Sequence, residues 1–478
     1  MTVPLARSVA PTAHFDVHAL QFDKALIQRL AGNGPRYTSY PTADRFNAEF
    51  DEAAYRAEVA RRFPAEQIGA LSLYVHIPFC NTVCYYCGCN KIITANKAHA
   101  ERYLDYLERE VALQAPLFAG RAVVEQLHLG GGTPTFLSDA QLTRLMGLLR
   151  ANFAFAPDEV GEYSIEIDPR KVAPATVALL GELGFNRMSV GVQDFDARVQ
   201  VAVNRIQSEA ETAQVIKAAR KHGFKSVSID LIYGLPHQSL SGFAVTLEKV
   251  LQLRPDRLSL YHYAHLPHLF KTQRQIADDT LPSADAKLDI LRLAIETLTG
   301  AGYVYIGMDH FALPDDELAR AQRAGTLHRN FQGYSTHDDI DLLALGISGI
   351  GKIGSSYSQN VRTADEYYAQ LDAGRLPLFR GVALQPDDAL RRAVIQQLMC
   401  QFALDIPALE AQWGIQFGDY FADEIAQLQQ LATDDLIELT PQRIQVQPRG
   451  RLLIRNIAMV FDRYLQSGDG QHRYSKTI

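Results

Sequence analysis

From residue 71 onward the chain alternates between two hydrophobic patterns. Short apolar runs rich in β-branched and aromatic residues are LSLYVHI, VVEQLHL, EYSIEID, NRMSVGV, SVSIDLI, DRLSLYHY and YVYIGM, and a longer stretch with apolar residues at helical spacing usually follows each. Residues 101–117 show the helical pattern in Leu104, Leu107, Val111 and Leu113. Ser138 stands where it caps a helix carrying Leu142, Leu145 and Leu149. Strand, helix and strand in repetition predict a parallel sheet with crossover helices. Roughly six such units fit before residue 310, fewer than the eight of a closed barrel, so an open, partial barrel is expected.

The flanks read differently. Residues 1–70 form helical and polar pieces, with a helix expected over 49–63 and a turn-rich break, GNGPRYTSYPT, over 32–42. After about residue 380 helices come first, then LIELTPQRIQV as a hairpin, then a helix over 452–464, an order that resembles a small winged-helix module. Asp419, Asp423, Glu424, Asp434, Asp435 and Glu438 make a lid or docking role there more fitting than DNA binding. The expected division is an N-terminal extension over 1–70, a catalytic domain over 71–375 and a mainly helical lid domain over 376–478.

Bulk properties narrow the function classes. With 478 residues, 47% apolar and 21% charged, disordered and collagen-like chains are excluded. A net charge of -7 gives no general attraction for nucleic acid or anionic membranes, so an anionic substrate must meet a local basic pocket. The N-terminus lacks the apolar core of a secretory signal, and the chain lacks a run of apolar residues long enough to span a bilayer. A cytoplasmic location is expected.

The cysteines carry the sharpest signal. Cys80, Cys84, Cys87 and Cys89 lie within ten residues of one another in HIPFCNTVCYYCGC, and only Cys400 lies elsewhere. Clustering of this kind points to metal in a reducing compartment. Three thiolates spaced by three and then two residues can each take one corner of a cubane iron–sulfur cluster, leaving one iron open. A zinc knuckle built from all four is the bland alternative, but one glycine between Cys87 and Cys89 is too short a spacer for paired zinc ligands. GGGTPT follows the second strand, and its glycines allow main chain to approach a ligand closely. Glu166, Gln193, Arg205 and Asp230 stand at or beyond later strand ends, on the face where barrel chemistry is built. Singly, each reads better as a cap or an ion pair, and it is their recurrence on one predicted face that points to a site.

CNTVCYYC is similar to the CxxxCxxC signature of the radical S-adenosylmethionine superfamily. That resemblance implies a [4Fe-4S] cluster whose open iron binds S-adenosylmethionine and whose electron cleaves it to methionine and a 5'-deoxyadenosyl radical. PRYTSYPT, YVHIPFC, CGCNK, GGGTPT, SIEIDPR, GVQDF, SIDLIYGLP, YAHLPH, GMDHFA, LHRNFQGY and GRLLIRNI, in this order, further resemble the family of oxygen-independent coproporphyrinogen III oxidases. The resemblance implies an α/β fold, a partial (βα)6 radical-SAM barrel with an N-terminal extension and a mainly helical, winged-helix-like C-terminal domain. It implies cluster ligands Cys80, Cys84 and Cys87, a first S-adenosylmethionine near Tyr74, Gly131 and Glu166, and a second near Tyr86, Gly132, Thr133, Gln193, Arg205, Asp230, Ala264 and Ile350. Tyr86 departs from the Phe that is frequent in the family, and Leu129 stands where some relatives carry Trp.

The implied reaction turns the propionates on rings A and B of coproporphyrinogen III into vinyl groups, giving protoporphyrinogen IX. Expected partners are that substrate and an unidentified electron donor and acceptor, with no nucleic acid and no membrane; the chain is expected to act as a monomer. Cys89 is a candidate catalytic residue outside the ligand set. Arg36, Tyr37, Tyr40, His328, Arg329 and Asn330 are candidates for the four substrate carboxylates, against the alternative that PRYTSYPT is a packed, proline-bounded turn. His262, His265 and His268 fit ordinary hydrogen bonding better than a metal site, and 337–339 is expected to open a helix. A related haem chaperone and a radical methyltransferase that opens haem are the alternatives. Cys89 and PRYTSYPT argue against the chaperone, and the last hundred residues match the methyltransferase poorly.

Overall fold

The register of one strand explains the sheet that carries the site. In the computed structural model, which describes residues 19–337, 339–465, 474 and 476, β1 (Gly69–Ile77) buries Leu71, Leu73, Val75 and Ile77 completely on one face. Ser72, Tyr74 and His76 therefore share the other face, because residues two apart point the same way. The same alternation recurs in β2 (Ala122–Gly131), β3 (Glu162–Ile167), β4 (Arg187–Gln193), β5 (Ser226–Tyr233) and β6 (Arg257–His262). These strands pair in sequence order and all in parallel. Six parallel neighbours in chain order are the partial barrel that the sequence pattern predicts.

Parallel register turns the non-apolar face into a continuous polar layer. Tyr74 aligns with His128 and His128 with Ser164; nearer the strand ends Glu166 aligns with Ser189, and Asp230 with Gly191 and Ser259. The crossover helices include Ala98–Gln114, which buries Leu104, Leu107 and Val111, and Asp139–Asn152, capped by Ser138 through a capping box.

The sheet continues beyond β1 in elements the sequence pattern does not predict. Asp341–Leu345, here β7, lies parallel to β1 on the side opposite β2. β8 (Ile350–Ile353), β9 (Ser356–Asn360) and β10 (Leu378–Ala383) follow as an antiparallel meander. This corrects the helix expected to open at 337–339. Asp338 lies outside the described residues, and DLLAL, with all five residues buried, takes the extended form that fits it beside β1.

By compactness the chain forms two units, one over residues 46–293 and 340–383 and the other from 1–45, 294–339 and 384–478. The second unit contains Val304–Gly307, which belongs to no parallel series: it turns back on His310–Ala312, with Gly307 and Met308 at positive φ. Its helices include Pro386–Gln401, Ile406–Trp413 and Ala422–Thr433. The expected hairpin is present as Ile437–Leu439 against Arg443–Val446, joined by Ala403–Asp405. The helix expected over 452–464 is shorter, Ile454–Met459, and beyond it Asp462 accepts the Tyr37 hydroxyl at 3.0 Å.

Glu110 shows how tightly β7 and its surroundings are fixed. Its carboxylate is fully buried and accepts hydrogen bonds from Tyr367 Oη (2.6 Å), Gly346 N (2.7 Å) and Asn360 Nδ2 (2.8 Å). Burial pushes this carboxyl up from 4.5 to about 7 in spite of those donors. The folded chain thus keeps a proton that the unfolded chain loses above about 4.5, and the stability this provides disappears as pH rises through about 7. Urea unfolding at pH 5 and pH 8 checks this: the parent should lose on the order of 1–3 kcal/mol more than Glu110→Gln between the two. An equal loss in both proteins contradicts it.

Candidate active site

All six parallel strands end on one rim, and the cysteine loop leaves from the first of them. Phe79–Cys80 pairs in parallel with Ile92–Ile93, so the loop over 81–91 is closed at its base. Ile92 N donates to Pro78 O at 2.7 Å and Thr94 N to Cys80 O at 3.0 Å. The glycine run is tied to the same segment, with Gly132 N to Ile77 O and Thr133 N to Phe79 O, both 2.8 Å. Such close approach requires glycine: a Cβ on Gly132 would lie 2.7 Å from the Pro78 carbonyl carbon, and one on Gly131, at φ +111°, would lie 2.5 Å from the His76 ring.

The three cysteines expected as ligands have distinct neighbours. Cys80 Sγ lies 3.4 Å from Thr133 Oγ1. Cys84 Sγ receives Arg205 Nη1 at 3.6 Å and Arg170 Nη2 at 3.8 Å. Lys91 Nζ donates to the Cys87 carbonyl at 3.1 Å, and Thr272 Oγ1 to the same oxygen at 3.3 Å. Cys89 is exposed, and all five cysteines are free of disulfides. Among the described residues no three His, Cys, Asp or Glu side chains form a closed metal cage. Burial pushes the Cys80 thiol up to about 11, so metal binding there has to displace a proton.

Around the rim the predicted polar residues form two groups. In the first, Glu166 accepts from Gly131 N and from His128 Nε2, each at 3.2 Å, and His128 Nδ1 meets Ser164 Oγ at 2.6 Å. Desolvation would raise the Glu166 carboxyl, but the His128 hydrogen bond and charge and the Gly131 N–H together hold it below its ordinary value. Tyr74 stacks on His128 and meets His76 Nδ1 at 3.0 Å, while His76 Nε2 meets Asn90 O at 2.9 Å.

In the second group Arg205 Nη2 donates to Gly191 O at 2.6 Å. Asp230 Oδ2 accepts from Ser189 Oγ at 2.9 Å, and burial pushes its carboxyl up to about 6. Gln193 holds a left-handed backbone, φ 71°, that is strained for a residue with a side chain. Two buried atoms of this group, Gln193 Oε1 and Arg205 Nε, have no hydrogen-bond partner among the described residues. Tyr86 packs against the cluster of Val199, Val203, Leu235, Tyr263 and Ile276. Gln273 Nε2 links the Tyr86 and Ala264 carbonyls, at 2.9 and 3.2 Å. Ile350 opens β8, on the other side of β1 from Asp230 in β5, so these two are not brought together along the sheet.

Some sequence candidates prove structural, and some functional neighbours went unpredicted. Tyr37 and Tyr40 are buried, Tyr37 bonded to Asp462 and Tyr40 accepting from Arg463 N, so PRYTSYPT is a packed turn; Arg36 pairs with Asp309. His265 bonds Tyr263 and Asp278, as ordinary hydrogen bonding predicts. His76, His128, Asp168 and Arg170 were not singled out by sequence. Two-residue spacing from Tyr74, Glu166 and Gly130 would have placed the first three on the polar face, whereas nothing in the spacing points Arg170 at Cys84.

Comparison with known proteins turns this geometry into kinship. Residues 74–250 match the Radical SAM superfamily and residues 384–453 the HemN C-terminal domain. The oxygen-independent coproporphyrinogen III oxidase of Salmonella typhimurium is 53% identical over 459 residues, covering 96% of this chain and 99% of that protein. The chain belongs to the oxygen-independent coproporphyrinogen III oxidase family. The Escherichia coli K12 member is 52% identical, across 97% of this chain and all of its own. A solved structure described as coproporphyrinogen III oxidase (HemN) from Escherichia coli, a radical SAM enzyme, superposes with a TM-score of 0.89 over 93% of this chain and 100% of that one, at 52% identity.

A radical SAM family member uses a [4Fe-4S] cluster and S-adenosylmethionine, and the residues present fit both. Three thiols share one short loop, the Gly132 cradle has no room for a Cβ, and Gln193 Oε1 and Arg205 Nε await partners. Gly132→Ala would push the loop off the glycine run. Equilibrium dialysis of the anaerobically loaded protein should show S-adenosylmethionine affinity falling at least about tenfold, with the far-ultraviolet circular dichroism of the parent; unchanged affinity contradicts the cradle.

Proposed function

We propose that this chain converts coproporphyrinogen III to protoporphyrinogen IX without oxygen, by oxidative decarboxylation of two propionates in haem biosynthesis. The observation that carries the reading is the fastening of the CxxxCxxC loop and the glycine run to the same strand end, beside a polar rim. Relatives over nearly the whole chain carry the oxidase name, which favours it over the haem chaperone and the haem-opening methyltransferase.

In this reading Cys80, Cys84 and Cys87 hold the cluster and leave one iron open. Tyr74, Gly131 and Glu166 hold one S-adenosylmethionine. Tyr86, Gly132, Thr133, Gln193, Arg205, Asp230, Ala264 and Ile350 hold a second. Bound together, cluster and S-adenosylmethionine supply a carbon radical able to take hydrogen from a propionate β-carbon. The chain's own residues orient the cofactors and keep the site dry. Glu166, held ionised by His128 and Gly131, suits an ammonium or a ribose diol. Gln193 and Asp230 offer oxygens to hydroxyl groups, and the Tyr86 ring offers an apolar face whose packing excludes water. Cys89, exposed beside the ligand loop, is the catalytic candidate outside the ligand set.

The same proposal includes the functional division at residues 70 and 375, a monomer in the cytoplasm, and an external electron donor and acceptor, with neither nucleic acid nor membrane as partner. Among the described residues no helix is long and apolar enough to cross a membrane.

Anaerobic reconstitution with iron and sulfide, then incubation with coproporphyrinogen III, S-adenosylmethionine and a reductant, tests the reading. Protoporphyrinogen and 5'-deoxyadenosine should both form. Cys84→Ser should abolish both products and the brown absorbance. Haem binding and transfer without either product would replace the oxidase with the chaperone.

A further inference from the structure

Cys84 faces a charged triad that the assignments above leave partly unused. Arg170 Nη2 and Arg205 Nη1 approach its sulfur at 3.8 and 3.6 Å. Asp168 sits between the two guanidinium groups. It grips Arg170 with both oxygens, Nε to Oδ1 at 2.9 Å and Nη2 to Oδ2 at 2.6 Å, and meets Arg205 Nη1 at 3.3 Å. It also accepts from Arg170 N at 3.2 Å, so the backbone helps set the arginine's direction. Side-chain exposures of 13%, 14% and 7% for Arg170, Asp168 and Arg205 leave little water or salt to screen these charges.

The sequence explains the arrangement. Asp168 and Arg170 follow β3 in SIEIDPR, where Pro169 starts a single turn that Asp168 caps. That turn carries the guanidinium to the rim. Arg205 follows Asn204, which is at φ 53° and donates to Val83 O at 2.8 Å, fixing the residue before Cys84.

Two guanidinium groups and one carboxylate leave a net positive charge beside the sulfur. A reduced iron–sulfur cluster carries one more negative charge than the oxidised form, and positive charge or N–H donors at its sulfurs favour the reduced form. We propose that Arg170 is a positioning residue acting through Cys84: oriented by Asp168, it raises the reduction potential of the cluster and so eases entry of the electron from the external donor. The inference rests on the cluster reading above and adds to it a residue whose job is electrostatic.

Opposite charges give the test opposite signs. In a mediator titration followed by electron paramagnetic resonance, at matched iron content, Arg170→Gln should lower the equilibrium constant for one-electron reduction about tenfold, a fall of about 59 mV. Arg170→Lys, which keeps the charge and loses the fork, should fall between that variant and the parent. Asp168→Asn, which keeps an oxygen to hold the Arg170 guanidinium and removes the negative charge, should raise the midpoint. Unmoved midpoints, or shifts of the same sign in Arg170→Gln and Asp168→Asn, overturn the proposal, because a merely structural role predicts no reversal. Should Arg170→Gln fail to hold iron, the other two variants decide by the same criteria; iron loss in all three also overturns it. A parent that takes up no cluster contradicts the cluster reading instead.

Discussion

Two backbone hydrogen bonds, from Gly132 N to Ile77 O and from Thr133 N to Phe79 O, fasten the glycine run to the strand end from which the cysteine loop departs. Everything chemical on this rim depends on that contact. It fixes where the loop starts, it requires residues without a Cβ at 131 and 132, and it places Thr133 against Cys80. The short strand pair that closes the loop's base then limits how far its thiols can spread. Radical chemistry needs its groups held close and dry, and a loop with both ends anchored in sheet hydrogen bonds suits that need better than a free one.

The parallel register supplies the second layer of organisation. One apolar and one polar face per strand, repeated six times in order, brings Tyr74, His128, Glu166, Ser189 and Asp230 onto a single surface although nearly 160 residues separate the first from the last. The charges on it are balanced locally. Glu166 is set against His128, and Asp168 against two arginines. A chain with net charge -7 can therefore present positive groups where a cluster thiolate and anionic cofactor groups would sit.

Much of this was legible in the sequence, and the failures have physical causes. The six β runs and their helices show because buried parallel strands are apolar and crossover helices keep their period. β8 and β9 do not show, since GISGIGKIGSSYSQN is rich in small and polar residues whose strand form depends on neighbouring pairings. YVYIGM reads as one more parallel strand because nothing in its apolarity reveals the turn at Gly307 and Met308. Spacing singled out the cysteine loop as a candidate cluster site, because its chemistry is local. It could not reveal Arg170, whose meaning lies in a contact with Cys84 across 86 residues, nor could it separate a buried Tyr37 from a substrate ligand.

The chemistry stands on a four-iron cluster held at three of its irons by Cys80, Cys84 and Cys87, with the fourth iron left open to S-adenosylmethionine. Electron–nuclear double resonance on the reduced, loaded protein with S-adenosylmethionine carrying a nitrogen-15 amino group and an oxygen-17 carboxylate tests that claim directly. Hyperfine coupling of both labels to the cluster is the predicted result. A cluster that shows neither coupling, or zinc in place of iron at Cys80, Cys84 and Cys87, would contradict it.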